Sequence, residues 1–317
     1  MQTHPNTSEE AESVHDPLIE NVDPDHKAGF ISIVGKPNVG KSTLLNALLN
    51  RQLAAVTSKA STTRQQILGI RNSPDYQLVF VDTPGVIKPR YNLHNFMMNY
   101  VESALDSADL VLLMVAPEER YREDELRKML DRVKAPIMLI VNKMDAYQPD
   151  QVTARLEEVK AYLNPVDELV ISAQERVNVD GMIDMVLHHV PKSPPFFPKY
   201  QLSDRPEAFF VAEAVRQQIF LNLRQEIPYS TEVVVTHFEE LDHLIRISVD
   251  VHVERKSQKG IMIGKGGSML KTIGTAARQH IERLLDKKVF LQLQVKVTED
   301  WRLSDRDLQE MGYEKAL

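Results

Sequence analysis

The chain has 317 residues, enough for about two domains with a sizeable hydrophobic core in each. Hydrophobic residues make up 43% and charged residues 26% of the sequence, which is ordinary for a globular protein, and the absence of cysteine excludes disulfides, thiolate metal sites and cysteine nucleophiles. No apolar run approaches the roughly 20 residues of a membrane-spanning helix, and no basic region followed by an apolar core opens the sequence. We therefore expect a cytoplasmic protein without a signal peptide.

Charge is distributed unevenly around a net value of −7. Residues 1–26 contain acidic side chains, no Lys or Arg and few large apolar groups, which predicts a disordered tail over residues 1–27. Residues 255–296 instead hold ten Lys and Arg side chains and two acidic ones, a local charge of +8. A basic cluster in an acidic protein is a candidate nucleic-acid surface, although a solvated surface patch gives the same pattern.

Short apolar runs rich in branched residues recur through the first half of the chain, and most lead through a turn into a helical pattern. They lie at residues 30–34, 78–81, Leu110–Val115, Ile137–Val141 and 169–171. This alternation predicts an α/β domain over residues 28–190, with a mostly parallel sheet covered by helices on both faces. Ligands of such sheets bind beyond the carboxyl ends of the strands.

Residues 191–206 contain five prolines, which cannot continue a helix or a central strand, so we interpret this segment as an interdomain linker. Beyond it the pattern changes to that of an α+β domain over residues 207–304, with a C-terminal segment over residues 305–317. The predicted elements are a helix at 207–225, strands at 232–239 and 243–254, a glycine turn, a helix at Ser268–Leu285, a strand at Val289–Val297 and a short helix at 305–311.

A phosphate-binding pattern, G-x-x-x-x-G-K-S/T, follows the first predicted strand and opens a predicted helix. Its residues are Gly35, Lys36, Pro37, Asn38, Val39, Gly40, Lys41 and Ser42, with Thr43 next. The glycines let backbone amides turn toward phosphates, and the helix adds its positive end. Lys41 is suited to bridge the β- and γ-phosphates, and the Ser42 hydroxyl to ligate Mg²⁺. This pattern alone fits a GTPase, an ATPase or a small-molecule kinase equally well.

Two further elements select guanine. The N-K-x-D element follows the strand at Ile137–Val141 and consists of Asn142, Lys143, Met144 and Asp145. Its carboxylate can accept hydrogen bonds from both N1–H and the N2 amine of guanine, a donor pair that adenine lacks. Ser172 and Ala173 follow the next strand and fit the S-A element, whose backbone amide contacts guanine O6.

The D-x-x-G element ends the strand at 78–81 and consists of Asp82, Thr83, Pro84 and Gly85. We expect Asp82 to hold Mg²⁺ through water and the Gly85 amide to contact the γ-phosphate. Between this element and the phosphate loop, Ser61, Thr62, Thr63 and Arg64 form a polar segment. One threonine there is expected to complete the Mg²⁺ shell, and we favour Thr63 over Thr62.

Taken together, P-N-V-G-K-S, T-T-R, D-T-P-G and N-K-M-D resemble the translation-factor-related group of GTPases that contains TrmE, Era and EngA. In that group an apolar residue, here Val86, stands where Ras-like enzymes place the glutamine that orients water, which implies slow intrinsic hydrolysis. The resemblance also implies that Asn38 helps to bind K⁺ in place of an arginine finger, unless it only shapes the loop. Asn38, Lys41, Thr63 and Gly85 form the candidate catalytic set, and Arg64 is the first alternative as an in-chain arginine finger.

A second glycine loop lies inside the basic segment and matches the G-x-x-G loop of KH domains, which clamps about four nucleotides of single-stranded nucleic acid. It consists of Gly264, Lys265, Gly266 and Gly267. Lys265, Lys271 and the start of the following helix suit phosphate. Ile261, Ile263 and Ile273 are expected to form an apolar wall for the bases.

A GTPase domain, a proline-rich linker and a type II KH domain, in this order, resemble the bacterial Era family from residue 29 onward. The resemblance implies binding of GTP or GDP with Mg²⁺, and binding of 16S ribosomal RNA near its 3′ end during assembly and maturation of the small ribosomal subunit. It also implies a monomer that associates peripherally with the inner membrane. Two features depart from the family pattern: the long acidic extension, and a stretch without glycine after Ser-Ala, at residues 174–176.

Other functions fit less well. A nucleotide-gated RNA-binding module with incidental hydrolysis remains the alternative, and turnover with and without RNA distinguishes the two. A small-molecule kinase disagrees with the guanine-selecting N-K-M-D element. An EngA-like protein needs a second phosphate loop, which this sequence lacks.

Overall fold

The computed structural model describes residues 23–119 and 125–314. Residues 1–22 of the predicted disordered tail lie outside the described residues, whereas residues 23–27 at its end are placed. His26 is 2% exposed, its Nδ1 lies 2.7 Å from the Ser193 carbonyl oxygen, and the first strand begins at Lys27. Within the described ranges, no helix combines the length and the apolar composition that crossing a bilayer requires.

Six strands form the first sheet in the order β2-β3-β1-β4-β5-β6, and all neighbouring pairs are parallel except β2 and β3. They are β1 (Lys27–Val34), β2 (Ile67–Asn72), β3 (Tyr76–Asp82), β4 (Leu110–Val115), β5 (Ile137–Val141) and β6 (Asp167–Val170). The prediction of a mostly parallel sheet is confirmed, but β2 was not predicted. Gly69 interrupts its apolar run and packs closely against α1, since a Cβ there would lie 2.5 Å from Leu49 Cδ1.

Helices cover both faces of this sheet. They are α1 (Lys41–Leu49), α2 (Asn92–Asp106), α3 (Glu125–Leu130), α4 (Pro149–Lys160) and α5 (Val179–His189). Because successive strand residues point to opposite faces, Leu112 of β4 packs in one core with Leu44 of α1, and Leu113 packs in the other with Val101 of α2. The parallel strands all end at the same edge, where the predicted nucleotide elements follow them.

The proline-rich segment 191–206 contains no described helix or strand, yet it packs against the first sheet. The Phe196 ring stacks on Phe30 with centroids 5.1 Å apart, and the Gln77 side-chain amide donates to the Phe197 carbonyl oxygen at 2.7 Å. The Ile70 amide of the edge strand β2 donates to the Leu202 carbonyl oxygen at 2.9 Å. The segment therefore covers the sheet edge that would otherwise expose unpaired backbone groups.

The second domain has a three-stranded sheet in the order β7-β8-β9, with β7 antiparallel and β9 parallel to β8. Its elements are α6 (Glu207–Asn222), β7 (Thr231–Glu240), β8 (Ile245–Val253), α7 (Lys256–Ile263), α8 (Ser268–Leu285) and β9 (Val289–Val297). This helix–strand–strand–helix–helix–strand order is that of a KH domain of the predicted type. The helix α6 ends at Asn222, three residues earlier than predicted, and α7 replaces part of the predicted glycine turn.

The C-terminal segment folds back onto the first domain. A short helix, α9 (Asp305–Glu310), follows the single turn Trp301–Leu303, and the Ser304 hydroxyl caps it by accepting from the Asp307 amide at 3.2 Å. Trp301 and Tyr313 are at most 1% exposed and lie in the core cluster that also contains Phe96 of α2. Trp301 Nε1 also donates to the Ser230 carbonyl oxygen of the second domain at 3.2 Å, so the segment packs against both domains.

Candidate functional site

The phosphate loop joins β1 to α1, and its backbone is fixed by close neighbours. Gly40 has φ 103°, and a Cβ there would lie 2.2 Å from Asn142 Nδ2, while a Cβ on Gly35 would lie 2.3 Å from the Met114 carbonyl oxygen. Lys41 is buried, and its Nζ donates to the carbonyl oxygens of Gly35 (3.1 Å) and Lys36 (2.9 Å). Burial lowers the pKa of Lys41 to about 8, so the ammonium stays largely protonated at neutral pH.

The three predicted metal ligands lie together at the start of α1. The Ser42 hydroxyl donates to Asp82 Oδ2 at 2.6 Å, and Thr63 Oγ1 lies 2.9 Å from Ser42 Oγ. Thr62 points elsewhere, with its Oγ1 2.6 Å from Thr57 Oγ1. Burial raises the pKa of Asp82 to about 6, and its Oδ1 is buried without a hydrogen-bond partner among the described residues. An all-oxygen set with one unsatisfied carboxylate oxygen suits a magnesium ion.

The guanine-selecting elements are locked to the phosphate loop through Asn142, which is 3% exposed. Its side chain donates to the Val39 carbonyl oxygen at 2.8 Å and accepts from the Ala173 amide at 2.9 Å. Asp145 is exposed and free to meet a base, and Lys143 forms a salt bridge with Glu118. Glu118 was not predicted, because no motif marks it and only the fold brings it to this site.

One departure from the family pattern, the absence of glycine at residues 174–176, lies in the turn after the S-A element. The Ser172 hydroxyl accepts from the Glu175 amide at 3.0 Å, and Arg176 adopts φ 60°. Glycine takes this left-handed conformation without strain, whereas arginine does so at a cost of roughly 1–2 kcal/mol.

One cavity of about 540 Å³ gathers most of these elements, and its size suits a nucleotide. The predicted residues that line it are Pro37, Asn38, Gly40, Lys41, Ser42, Thr43, Thr63, Gly85, Asn142, Lys143 and Asp145. The predicted residues that do not line it are Gly35, Lys36, Val39, Asp82, Thr83, Pro84, Val86, Met144, Ser172 and Ala173. Ser61 and Thr62 of the polar segment also line it, and the lining residues that the sequence did not indicate are Ala55, Val56, Thr57, Ser58, Lys59, Glu118, Ala146 and Gln174.

Three residues discussed for hydrolysis have distinct positions. Val86 packs in the core with Phe96, so its side chain carries no group toward the cavity, and its amide donates to the Gly35 carbonyl oxygen at 3.1 Å. Asn38 is exposed at φ 66° and donates to the Ser58 carbonyl oxygen at 3.2 Å. The alternative of Arg64 as an arginine finger is wrong for this structure, because its guanidinium points into the second domain and is 2% exposed.

The glycine loop of the second domain connects α7 to α8 and faces solvent. Gly264, Gly266 and Gly267 have φ of 74°, 59° and 79°, and a Cβ on either of the last two would meet no atom within 4 Å. Lys265 and Lys271 are exposed on either side of the start of α8. This loop therefore has an open backbone surface at Gly266 and Gly267 next to two positive charges.

The expected apolar wall beside this loop is only partly present. Ile261 is 53% exposed and Ile263 is half-buried, but Ile273 is fully buried in the domain core with Ile247 and Ala277. Helical periodicity shows that Ile273 lies on the apolar side of its helix, but not whether that side packs in the core or lines an open groove. The prediction that Ile273 belongs to the groove is therefore wrong.

The chain joins a P-loop domain with guanine-selecting elements to a KH domain. This combination is that of an RNA-binding GTPase. Residues 30–143 match the family described as 50S ribosome-binding GTPase, and residues 226–302 match the KH domain family. The GTPase Era of Staphylococcus haemolyticus (strain JCSC1435) is 42% identical over 292 residues, which cover 91% of this chain and 98% of that protein. The chain therefore belongs to the Era family of GTPases.

Solved structures of Era agree with this assignment. A crystal structure of Era with MgGDPNP and nucleotides 1506–1542 of 16S ribosomal RNA has a TM-score of 0.86 at 34% identity, covering 91% of this chain and 99% of that one. A single-residue variant of Aquifex aeolicus Era bound to GDP·AlF4⁻ also has a TM-score of 0.86, at 33% identity, covering 90% of this chain and 99% of that one.

Proposed function

We propose that this GTPase is a GTP-hydrolysing switch that binds 16S ribosomal RNA near its 3′ end and acts in assembly and maturation of the small ribosomal subunit. The observation that carries the proposal is the pairing, in one chain, of a guanine-nucleotide cavity with an exposed KH loop, in the same overall fold as Era bound to nucleotides 1506–1542 of 16S ribosomal RNA.

In the nucleotide site, we assign Mg²⁺ to Ser42, Thr63 and Asp82, supported by their mutual distances and by the unsatisfied Asp82 Oδ1. When bound, the ion neutralises charge on the β- and γ-phosphates. Lys41 stabilises the same phosphates with its charge, and Gly85 contributes a backbone amide near the γ-phosphate. A Cβ on Gly85 would lie 2.7 Å from the Pro37 nitrogen, so this position accepts only glycine.

We expect slow intrinsic hydrolysis of GTP, because the apolar side chain of Val86 packs in the core and cannot orient the attacking water. Asn38 is the candidate K⁺ ligand: it lines the cavity, and because its amide nitrogen donates to the Ser58 carbonyl oxygen, its side-chain oxygen is the atom that would coordinate the ion. For base selection, we assign Asp145, whose exposed carboxylate lines the cavity beyond Asn142.

For RNA, we assign the loop from Gly264 to Gly267 with Lys265 and Lys271, and Ile261 and Ile263 as apolar neighbours. The support is geometric: left-handed glycines, open space above them and a following helix of 18 residues whose positive end faces the loop. The +8 segment around the loop adds sequence-independent attraction to phosphates.

For location, we propose a cytoplasmic monomer with peripheral attachment to the inner membrane, supported by the resemblance to the Era family alone. Flotation of the purified protein with vesicles of anionic lipid tests the attachment, and absence from the floated fraction contradicts it.

The function is tested by crosslinking RNA to the protein in cells and sequencing it. We expect enrichment of the 3′ end of 16S RNA. Enrichment of large-subunit RNA would contradict the proposal and support the 50S association named in the description of the matching GTPase family. GTP turnover that RNA does not change would support the alternative, an RNA-binding module with incidental hydrolysis.

A further inference from the structure

Arg64 follows Thr63 directly, yet its guanidinium is inserted into the KH domain. Its Nη1 donates to the Thr231 carbonyl oxygen and to Glu232 Oε2, both at 2.7 Å. Its Nη2 donates to the carbonyl oxygens of Pro228 (3.0 Å) and Tyr229 (3.2 Å). All four acceptors belong to the turn before β7 and its first two residues, so one arginine of the GTPase domain holds one short segment of the other domain.

The carboxylate that receives Arg64 is itself held firmly. Arg216 donates to both Glu232 oxygens, at 2.6 and 3.2 Å, and the Tyr313 hydroxyl donates to Glu232 Oε2 at 2.6 Å. Arg216 also pairs with Glu213 at 2.9 Å, and every member of this network is at most 5% exposed. Although burial raises the pKa of Glu232, Arg216 and Arg64 lower it to about 2, so the carboxylate stays ionised.

Two more contacts attach the segment before Thr63 to α6. The Lys59 ammonium donates to the carbonyl oxygens of Phe220 and Leu223 at the C-terminal end of the helix, where the helix dipole favours a cation. The Gln217 side chain donates to the Val56 carbonyl oxygen at 2.9 Å. Residues 56–64 are therefore fixed to the KH domain at three points.

The other end of this connection is the metal site. Consecutive Cα atoms are about 3.8 Å apart, so a displacement of Arg64 by an ångström or more moves Thr63 as well. Thr63 Oγ1 lies 2.9 Å from Ser42 Oγ, a distance that such a displacement breaks. Thr63 lines the nucleotide cavity, whereas Arg64 is not among the described residues that line it.

We infer that Arg64 is a positioning residue through which Glu232 of the KH domain holds Thr63 at the metal site, so that the KH domain determines how completely the site is assembled. The inference rests on the proposed assignment of Ser42, Asp82 and Thr63 to Mg²⁺. By thermodynamic reciprocity, completing the metal site also stabilises this arrangement of the KH domain.

The test uses the full-length protein with Arg64→Met, Arg64→Lys and Thr63→Ala, and with Arg71→Met as a matched control. Arg71 donates to the Leu48 carbonyl oxygen at 2.7 Å, within the first domain. Mg²⁺ is titrated into the complex with a fluorescent non-hydrolysable GTP analogue. GDP affinity is measured without Mg²⁺, and amide hydrogen exchange of residues 57–64 is measured without nucleotide.

Arg64→Met and Thr63→Ala are both expected to weaken Mg²⁺ binding, Arg64→Met by roughly 5- to 150-fold, the usual range of coupling between sites. GDP affinity without Mg²⁺ should change less than about twofold, since the base and phosphate contacts remain. Exchange of residues 57–64 should accelerate in Arg64→Met but not in Thr63→Ala or Arg71→Met. Arg64→Lys should recover part of the loss, because its ammonium still reaches Glu232.

Wild-type Mg²⁺ affinity and exchange in Arg64→Met, with a loss in Thr63→Ala, would overturn the inference and leave the metal assignment intact. No loss in Thr63→Ala would instead overturn the metal assignment. If Arg64→Met does not fold, Glu232→Gln carries the same expectation, because it keeps the volume and removes the charge. If Arg64→Met and Glu232→Gln both fold, the variant that combines them should bind Mg²⁺ no more weakly than Arg64→Met alone. Additive losses of Mg²⁺ affinity would show that Glu232 does not act through Arg64.

Discussion

The phosphate loop and the KH loop are both glycine turns that open a helix, but their surroundings are opposite. A Cβ on Gly35 or Gly40 would lie 2.2 to 2.3 Å from another atom, whereas a Cβ on Gly266 or Gly267 would meet nothing within 4 Å. Gly264 at the start of the KH loop is the exception, because a Cβ there would lie 2.8 Å from the Met269 nitrogen. The first loop needs glycine because the protein itself fills the space. The second needs it for its left-handed backbone and for the close approach of a molecule from outside.

Because of this difference, we expect changes in the two loops to affect the stability of the fold and the binding of RNA differently. Changes in the phosphate loop disturb a packed, hydrogen-bonded site and should reduce both folding and nucleotide affinity. Changes in the KH loop should remove RNA binding and leave the fold intact. The following predictions test this contrast.

The largest effect is expected from Lys265→Asp combined with Gly266→Asp. Two carboxylates then stand where the loop approaches phosphate, and such like-charge contacts cost several kcal/mol, so affinity for the 3′ segment of 16S RNA should fall by more than ~100-fold. Binding is measured at ~0.15 M salt, where exposed charges act over about 8 Å. Basal GTP hydrolysis should stay within a few-fold of wild type, and circular dichroism should be unchanged.

Lys134→Asp reverses an exposed charge outside the basic cluster and serves as the control. Wild-type RNA affinity in the double variant would show that the KH loop is not the binding site and that the basic cluster is a solvated surface.

A matched pair of alanine variants compares the loops directly. Gly40→Ala places a Cβ 2.2 Å from Asn142 Nδ2 at φ 103°, and should lower the free energy of unfolding by about 2–4 kcal/mol together with GTP affinity. Gly266→Ala meets no atom, so the strain of its φ of 59° should cost only ~1–2 kcal/mol and leave GTP affinity unchanged. Denaturant titration and nucleotide binding measure both. Equal losses in the two variants would contradict the contrast between the loops.

Asp145→Asn tests an exposed residue of the nucleotide site. The amide cannot accept from both guanine donors, so GTP affinity should fall by ~1–3 kcal/mol while affinity for xanthosine triphosphate rises. Equilibrium binding of both nucleotides gives the answer, with Asp184→Asn on the exposed side of α5 as the control. Unchanged GTP affinity would remove Asp145 from base selection.

The smallest effect is expected from exchanging K⁺ for Na⁺ at equal ionic strength. Turnover should fall by up to about tenfold, equivalent to ~1.4 kcal/mol in the barrier, and Asn38→Ala should make the two rates equal. Equal rates in the wild type would take Asn38 out of catalysis. Arg64 would not replace it as an arginine finger, because the KH domain holds its guanidinium.

The sequence by itself determined the secondary-structure elements and short motifs that depend only on neighbouring residues. The bounds of β4, β5, α8 and β9 agree with the prediction, because hydrophobic periodicity and turn residues are properties of neighbouring positions. The phosphate loop, the guanine-selecting elements and the KH loop were recognisable for the same reason, since each is a short backbone geometry with a fixed spacing of residues.

Tertiary structure decided which distant groups meet. The linker covers β2 through Leu202, Glu118 joins Lys143, Tyr313 packs beside α2, and Arg64 reaches Thr231 across 167 positions of sequence. No local pattern encodes these contacts, because each joins residues that are distant in the sequence and meet only when the chain folds.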